Sequence, residues 1–433
     1  MAQDRDQQNN RQRQRAAARK KRLQEQRRMR RRLIIAAIVL LICGVAIYTL
    51  SQGDGQAALN DGVAETTEYT EIATRPKEEP TTTIHIKAAG DLNITDAVVE
   101  SGNTKLGYDY SRAFLDVAPL LAEADLTMLN FEGNLVGPPY GTTRASAPIE
   151  LVKALSDAGV DILQMANSYS IYNGTNGLTQ TLNGIRAAGI EPVGAFSSPE
   201  EFRKSKGYTM CDIRGISVAV VAFTKGMDGL GLPSGSEDCV NLLYTDYDTT
   251  YSDIDKDGIR SVLRAAQSEK PDITIAMLHW GSAYNDGIFE TQEDLVDLMM
   301  AEGVDIILGT HPHYLHKVDF DDINNTLIAY SLGDFFGDAS KSYAQYSIIL
   351  DIEITKDNES GETEIVGYSV TPIYTLKENE TQDGHRRVVR LRDAMAAYDI
   401  NFVDRVTAGA YQTMEQSLEF IDNRLNPKKE AEE

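Results

Sequence analysis

Three histidines stand where they could serve one site: His279 in Leu278-His279-Trp280-Gly281, and the pair His311-Pro312-His313. The chain has six histidines in 433 residues, and half of them close two apolar runs, Asp272–Leu278 and Asp305–Thr310. Neutral imidazole is the commonest side-chain nitrogen ligand for zinc, manganese, iron and related metals. A lone histidine after a strand is more often a hydrogen-bonded loop residue than a ligand. Two alternating histidines after one run, with a third after another, shift the reading to imidazoles gathered on a metal.

The elements that would position them alternate along the chain. Apolar runs at Ile84–Ala89, Leu126–Leu129, Ile162–Met165, Val218–Phe223, Ile273–Leu278 and Ile306–Leu308 read as buried strands. Helical patterns lie between several of them, at Ile149–Ala158, Leu178–Ala188, Ile259–Gln267 and Glu293–Glu302. The phrase Gly-Val-Asp follows two of these helices, at Gly159 and Gly303, where a left-handed cap would turn the chain into the next strand. This is α/β layering, with no short repeat of a solenoid. Later runs at Leu327–Leu332, Tyr346–Ile354 and Glu364–Tyr374 lack intervening helices and read as antiparallel, and the tail from about Arg387 reads as helical and amphipathic in places.

Polar residues collect where the strands end: Asp91 and Asn93, Asn130, Glu132 and Asn134, Asn167, Ser168 and Tyr169, then the three histidines. In layered α/β folds ligand sites form beyond the carboxyl ends of strands, where loops converge above a rigid sheet. Taken singly, Asp91 and Asn93 read equally well as caps of the following segment, and Glu132 as a solvated turn residue.

Charge divides the chain. Residues 1–32 carry 13 of the 42 Lys+Arg and 3 of the 65 Asp+Glu, net +10, which leaves 29 basic against 62 acidic residues, net −33, in the remainder. Between them lies Leu33–Leu50, an uncharged stretch that as a helix would be about 27 Å long, near the thickness of a bilayer core. With Lys and Arg crowding its leading side, the positive-inside rule puts residues 1–32 in the cytoplasm as a basic arm and everything after Leu50 outside. The sequence favours an uncleaved anchor over a signal peptide, whose apolar core would be unusually long and which would need a small-residue cleavage site. The expectation is a single-pass protein of the cell membrane, held in lipid by that helix. The arm has no aromatic residue and reads as a solvated segment drawn to anionic inner-leaflet lipid, not as a nucleic-acid patch. Residues 51–80 read as a flexible linker, 81–380 as the folded domain and 381–433 as a helical extension.

Cys211 and Cys239 would be able to pair in an exported domain, with two free thiols the equal alternative. Asp253-Ile254-Asp255-Lys256-Asp257-Gly258 opens like a calcium-binding loop, but Arg264 stands where a bidentate Glu is needed, so it reads as an acidic helix start.

The ordered phrases Gly90-Asp91, Asn130-Phe131-Glu132-Gly133-Asn134-Leu135, Ala166-Asn167, His279-Trp280-Gly281, Gly309-Thr310-His311-Pro312-His313 and Tyr330-Ser331-Leu332-Gly333-Asp334-Phe335 resemble the CapA family of poly-γ-glutamate capsule synthesis, related to the calcineurin-like metallophosphatases. The resemblance runs from about Ile84 to Ile373. It implies a metallophosphatase-like sandwich of two mixed β-sheets flanked by helices, with two divalent ions, Mn, Fe or Zn, between the loops. Asp91 and His313 would hold one ion, Asn167, His279 and His311 the other, and Glu132 would take the bridging place. Arg144 matches a family position that would meet an anionic substrate. An anionic cell-surface polymer, and a membrane synthetase or export complex, are the partners so implied.

The departures bear on activity. The proton-donor histidine of the family is Tyr169 here, its acidic residue is Tyr172, Asp334 stands where asparagine is usual, and Ser282-Ala283-Tyr284 lacks an acidic residue before the tyrosine. Tyrosine, with a reference pKa of about 10 against about 6.5 for histidine, gives up a proton poorly near neutrality. Loss of a general acid removes a factor of about 10² to 10⁴ in rate. The expectation is therefore a metal-holding domain with weak hydrolase activity, or a polymer-handling module with none.

Overall fold

A computed structural model describes residues 80–381, 383–400 and 406–426. The basic arm, the Leu33–Leu50 span and the linker up to residue 79 lie outside the described residues, as do 401–405 and the last seven. Among the described residues no helix is long and apolar enough to cross a membrane.

Two mixed sheets make the domain. The first contains β1 (Thr81–Asn93), β4 (Leu126–Glu132), β5 (Ile162–Gln164) and β6 (Glu191–Val193) as a parallel run, while the short β2 (Asn103–Thr104) and β3 (Gly107–Tyr108) pair only with each other. The second is built on β8 (Ile216–Thr224), β9 (Ile273–His279), β10 (Ile306–Thr310) and β12 (Thr326–Ala329), also parallel, with β7 (Tyr208–Ile213) and β11 (Val318–Asp321) antiparallel at its two edges. The first sheet is completed by β13 (Asp334–Phe336), parallel to the end of β1, and by the antiparallel series β14 (Tyr346–Asp357), β15 (Thr363–Leu376) and β16 (Arg387–Arg390).

Alternation along β8 shows why two sheets form. Val218, Val220 and Ala222 join the cluster that includes Ile86, Met128 and Ile348 of the first sheet, whereas Ala219, Val221 and Phe223 face Ile259, Leu263, Leu295 and Met299 of the outer helices. Both faces are buried, hence the nearly unbroken apolar runs. The helix Lys256–Gln267 buries Ile259, Val262, Leu263 and Ala266, a stripe at helical spacing, each large side chain contributing about 1.5–3 kcal/mol. Asp255 caps it, accepting from the Gly258 N–H at 2.9 Å, so the calcium-like phrase is a helix start.

Where the strands begin, one device recurs. Asp125, Asp161, Asp272 and Asp305 each accept, at 2.8 Å, the backbone N–H of the neighbouring strand, from His85, Thr127, Ser217 and Thr274 respectively. Gly159 and Gly303 precede two of them with φ of +95° and +90°, the left-handed turn read from the repeated phrase. At Gly159 a Cβ would lie 2.9 Å from the Ala122 Cα, so glycine is required on steric grounds also.

Two details differ from expectation, and one open alternative is decided. β12 lies parallel to β10 as well as antiparallel to β11, because a long crossover through the His311–Lys317 loop brings it back beside β10. The tail is not all helix: Arg387–Arg390 is a strand on the edge of the first sheet, its Val388 and Val389 filling that sheet's core before the helices Leu391–Asp399 and Ala408–Leu425. Cys211 and Cys239 are both free thiols.

Candidate metal centre

Parallel pairing gathers the acidic and amide groups. β1 and β4 run in register with Asp91 opposite Asn130 and Asn93 opposite Glu132, and β13 adds Asp334 opposite Asp91. Residues two apart on a strand share a face, so Asp91 with Asn93, and Asn130 with Glu132, line one side of the first sheet's end. This needs β13 to press against β1: the Asp91 N–H donates to the Gly333 carbonyl at 2.9 Å, and a Cβ on Gly90 would lie 1.7 Å from that oxygen.

The second sheet supplies the imidazoles. His279 ends β9 between Thr224 and Thr310, and the chain leaves β10 through His311 and His313 with φ of +89° and +54°. Non-glycine residues visit this region rarely and at a cost, and two of them flank one proline. The His311 N–H donates to the Asp91 carboxylate at 3.1 Å, which ties the strained turn to the first sheet.

The groups meet in a buried cluster. His313 Nδ1 lies 2.8 Å from Asp334 Oδ1 and 3.3 Å from Asp91 Oδ2, and its Nε2 lies 3.7 Å from Glu132 Oε2. His279 Nδ1 lies 3.4 Å from Glu132 Oε1. Its Nε2 meets the Ser168 backbone N–H and Oγ, each at 3.1 Å, which turns its Nδ1 towards Glu132. Asn130 is the hub: its amide nitrogen donates to Asp91 at 2.7 Å and Glu132 at 3.0 Å, and its oxygen accepts from Asn167 at 3.0 Å.

Three overlapping sets place their donor atoms within 4.8 Å of one another: Glu132, His311 and His313; Asp91, Glu132 and His279; Asp91, His313 and Asp334. The fit to cations is chemical as well as geometric. His311 Nδ1 is buried without a hydrogen-bond partner, an orphan that an ion would satisfy. Burial, and then the neighbouring imidazoles, hold His279 and His311 well below the ordinary histidine value, in the neutral form that ligates. Burial raises Glu132 well above the usual carboxylate range and pushes Asp334 up to about 6. At His313 burial acts downwards, but Asp334 and Glu132 outweigh it and the ring is held well above its ordinary value. Packing three carboxylates this closely is costly, a single imidazolium at His313 offsets only part of that cost, and divalent cations are a natural compensation.

The remaining expected residues fall into two groups. Asn167 is buried beside the cluster, but its amide nitrogen donates to the Phe131 carbonyl at 2.8 Å and to Asn130, and its oxygen accepts the Tyr169 N–H at 3.0 Å. Those bonds seat Asn130, and it is the next residue, Ser168, that touches His279. Tyr169 faces the cluster half-buried; burial first, then the Glu132 charge, push its phenol up, so it stays protonated. Its ring lies 5.6 Å from that of Tyr172. Arg144 does not reach the donor groups: its guanidinium bonds to the Pro138 carbonyl at 3.1 Å and Asn173 Oδ1 at 3.4 Å. Lys225, half-buried, donates to the Gly281 carbonyl at 2.9 Å.

The fold and site thus define a two-sheet α/β protein with a buried carboxylate–imidazole cluster beyond its strand ends. A family model described as bacterial capsule synthesis protein PGA_cap matches residues 85–339, and the chain belongs to that family. It is 27% identical over 308 residues to the capsule biosynthesis protein CapA of Bacillus anthracis, covering 70% of this chain and 71% of that one. It is 26% identical over 310 residues to the PGA biosynthesis protein CapA of Bacillus subtilis (strain 168), covering 68% and 77%. Among solved structures, the calcineurin-like phosphoesterase YfkN from Bacillus subtilis aligns at 14% identity and a TM-score of 0.42, over 79% of this chain and 99% of that one. A phosphatase from Mycoplasma pneumoniae aligns at 12% and 0.40, over 68% and 94%. Likeness at this level bears on neither substrate nor reaction.

Proposed function

We propose that this chain is a membrane-anchored, extracytoplasmic member of the capsule-synthesis family whose domain handles an anionic polymer at a metallophosphatase-like centre of two divalent ions, beside a membrane synthetase or export complex. The observation that carries the reading is the set of three overlapping donor groups at the joined ends of both sheets. Asp91, Glu132, His279, His311 and His313 would hold the ions, with Asp334 the added carboxylate beside His313. Ions so bound would supply Lewis acidity towards a carboxylate or phosphoryl oxygen.

The chain's own residues do the rest. Asn130 fixes the carboxylates, Ser168 orients the His279 ring, and Tyr169 offers a neutral hydroxyl that orients an anionic oxygen. A phenol pushed up by burial is a poor proton donor to a leaving group, which supports polymer handling with weak hydrolysis. A handling role with no turnover is supported by the same tyrosine.

The test is metal content of the purified full-length chain, with turnover of a generic phosphoester measured in parallel. We expect about two ions per chain, fewer in His311→Ala and His313→Ala, and weak turnover that Tyr169→Phe lowers and Tyr169→His raises. No retained metal would sink the centre. Strong turnover surviving Tyr169→Phe would move the proton donor elsewhere, with Tyr284 or Asp334 the alternatives. No turnover in any variant would leave the handling role alone.

A further inference from the structure

The rim of the cluster holds a cation that the centre does not use. Tyr284, at φ of +59°, is pinned by its N–H to the Pro312 carbonyl at 2.8 Å, which lays its ring 4.9 Å from the ring of His313. The same loop is held again where His316 Nε2 meets the Asn285 carbonyl at 2.9 Å. Over the Tyr284 ring, 3.2 Å from its centre, stands the ammonium of Lys341, with the Tyr343 ring 5.9 Å away. Lys341 is exposed, and no described acidic residue forms an ion pair with it. The other cations near the site are committed elsewhere: Lys225 to the Gly281 carbonyl and Arg144 to Pro138 and Asn173.

Resting on the proposed polymer-handling role, we infer that Lys341 and Tyr284 form a subsite for one carboxylate of an anionic chain whose neighbouring group lies at the metal centre. The two distances put the ammonium no more than about 8 Å from the centre of the His313 ring, roughly two residues of extended peptide. Adjacent carboxylates of one chain can span that gap. A single lysine suits a monovalent carboxylate, whereas phosphate recognition favours an arginine fork or a helix N-terminus. An acidic body that repels polyanions at long range needs such a local cation to seat one. Tyr284, about half exposed, supplies apolar ring surface for the methylenes that carry the carboxylate.

The test measures binding of hexaglutamate, hexaglutamine and tripolyphosphate to the purified full-length chain in detergent micelles, with and without added Mn²⁺, alongside metal content. The variants are Lys341→Gln, Lys341→Arg and Lys270→Gln, the last at an exposed turn before β9, at the opposite end of that strand from His279. We expect hexaglutamate to bind and hexaglutamine not to. Lys341→Gln should weaken hexaglutamate binding about three- to tenfold, with Lys341→Arg restoring most of it, Lys270→Gln changing nothing and metal content constant throughout. Unchanged binding in Lys341→Gln, equal weakening in Lys270→Gln, or a chain that binds only tripolyphosphate or none of the probes would overturn the subsite. Absence of metal from the unaltered chain counts against the centre, because the Lys341 comparison is read with and without added ion.

Discussion

At one end of the two sheets, four aspartates each face a backbone N–H at 2.8 Å; at the other, Asp91, Glu132 and Asp334 face imidazoles and one another. The functional group is the same and its use is opposite. A carboxylate that answers an unpaired strand N–H holds the sheet together and leaves nothing over. Carboxylates set against each other keep free lone pairs at an energetic cost to the fold, a cost that makes sense only if a cation is to be bound.

The largest break in this contrast is Asp91→Asn, which removes a carboxylate shared by two donor sets. We expect it to abolish retention of at least one ion in metal analysis, while the metal-free protein melts no lower, since a buried charge has been removed. A lower melting temperature without metal would mean that Asp91 serves the sheet as its leading-end counterparts do. Asn130→Ala should follow, weakening metal affinity about 10- to 100-fold, the usual effect of losing a residue that orients ligands. Titration with a chelator reads it, and an unchanged affinity would deny Asn130 its place as hub.

At the leading end the expectation reverses. Asp161→Ala strands the Thr127 N–H and should cost about 1–3 kcal/mol in denaturant unfolding with metal content unaltered. The smallest effect, and the sharpest, is Asp305→Asn. Burial pushes Asp305 up to about 6 from 3.8, so the folded state keeps a proton that the unfolded chain releases, and stability falls as pH rises from about 4 to 6. Asparagine keeps an acceptor for Thr274 without the charge. It should gain about 1–2 kcal/mol at pH 7 after solvent screening is allowed for, and little at pH 4.5. An equal gain at both pH values would remove burial as the cause.

The sequence announced this contrast unevenly. Apolar runs closed by polar residues located β1, β4 and β5 of the first sheet, β8, β9 and β10 of the second, and the end at which the polar groups collect, because a strand buried on both faces leaves few other patterns. The three-residue β6 leaves no such run, and β12 reads from sequence as antiparallel. The repeated Gly-Val-Asp phrase marked its turns, though nothing in it disclosed that the aspartate caps the neighbouring strand, a bond made across chain distances of 34 and 31 residues. Asn130 lies two residues before Glu132, and that spacing alone could have drawn it into the site. Asp334 and Ser168 acquire their roles from the apposition of two sheets, which no local pattern encodes. Arg144 carried the right charge in the right phrase, yet its loop turns the guanidinium onto Pro138 and Asn173. Strand β16 escaped notice because four residues at a sheet edge leave too short a pattern beside two helices.

The donor sets draw on positions from Asp91 to Asp334, and β14 to β16 of the acidic sheet come later still. A growing chain completes no set before His279 and the whole cluster only at Asp334, and pairings this distant in sequence form late and slowly. The choice of ion therefore belongs to the surroundings in which the chain completes its fold, not to the early stages of its synthesis.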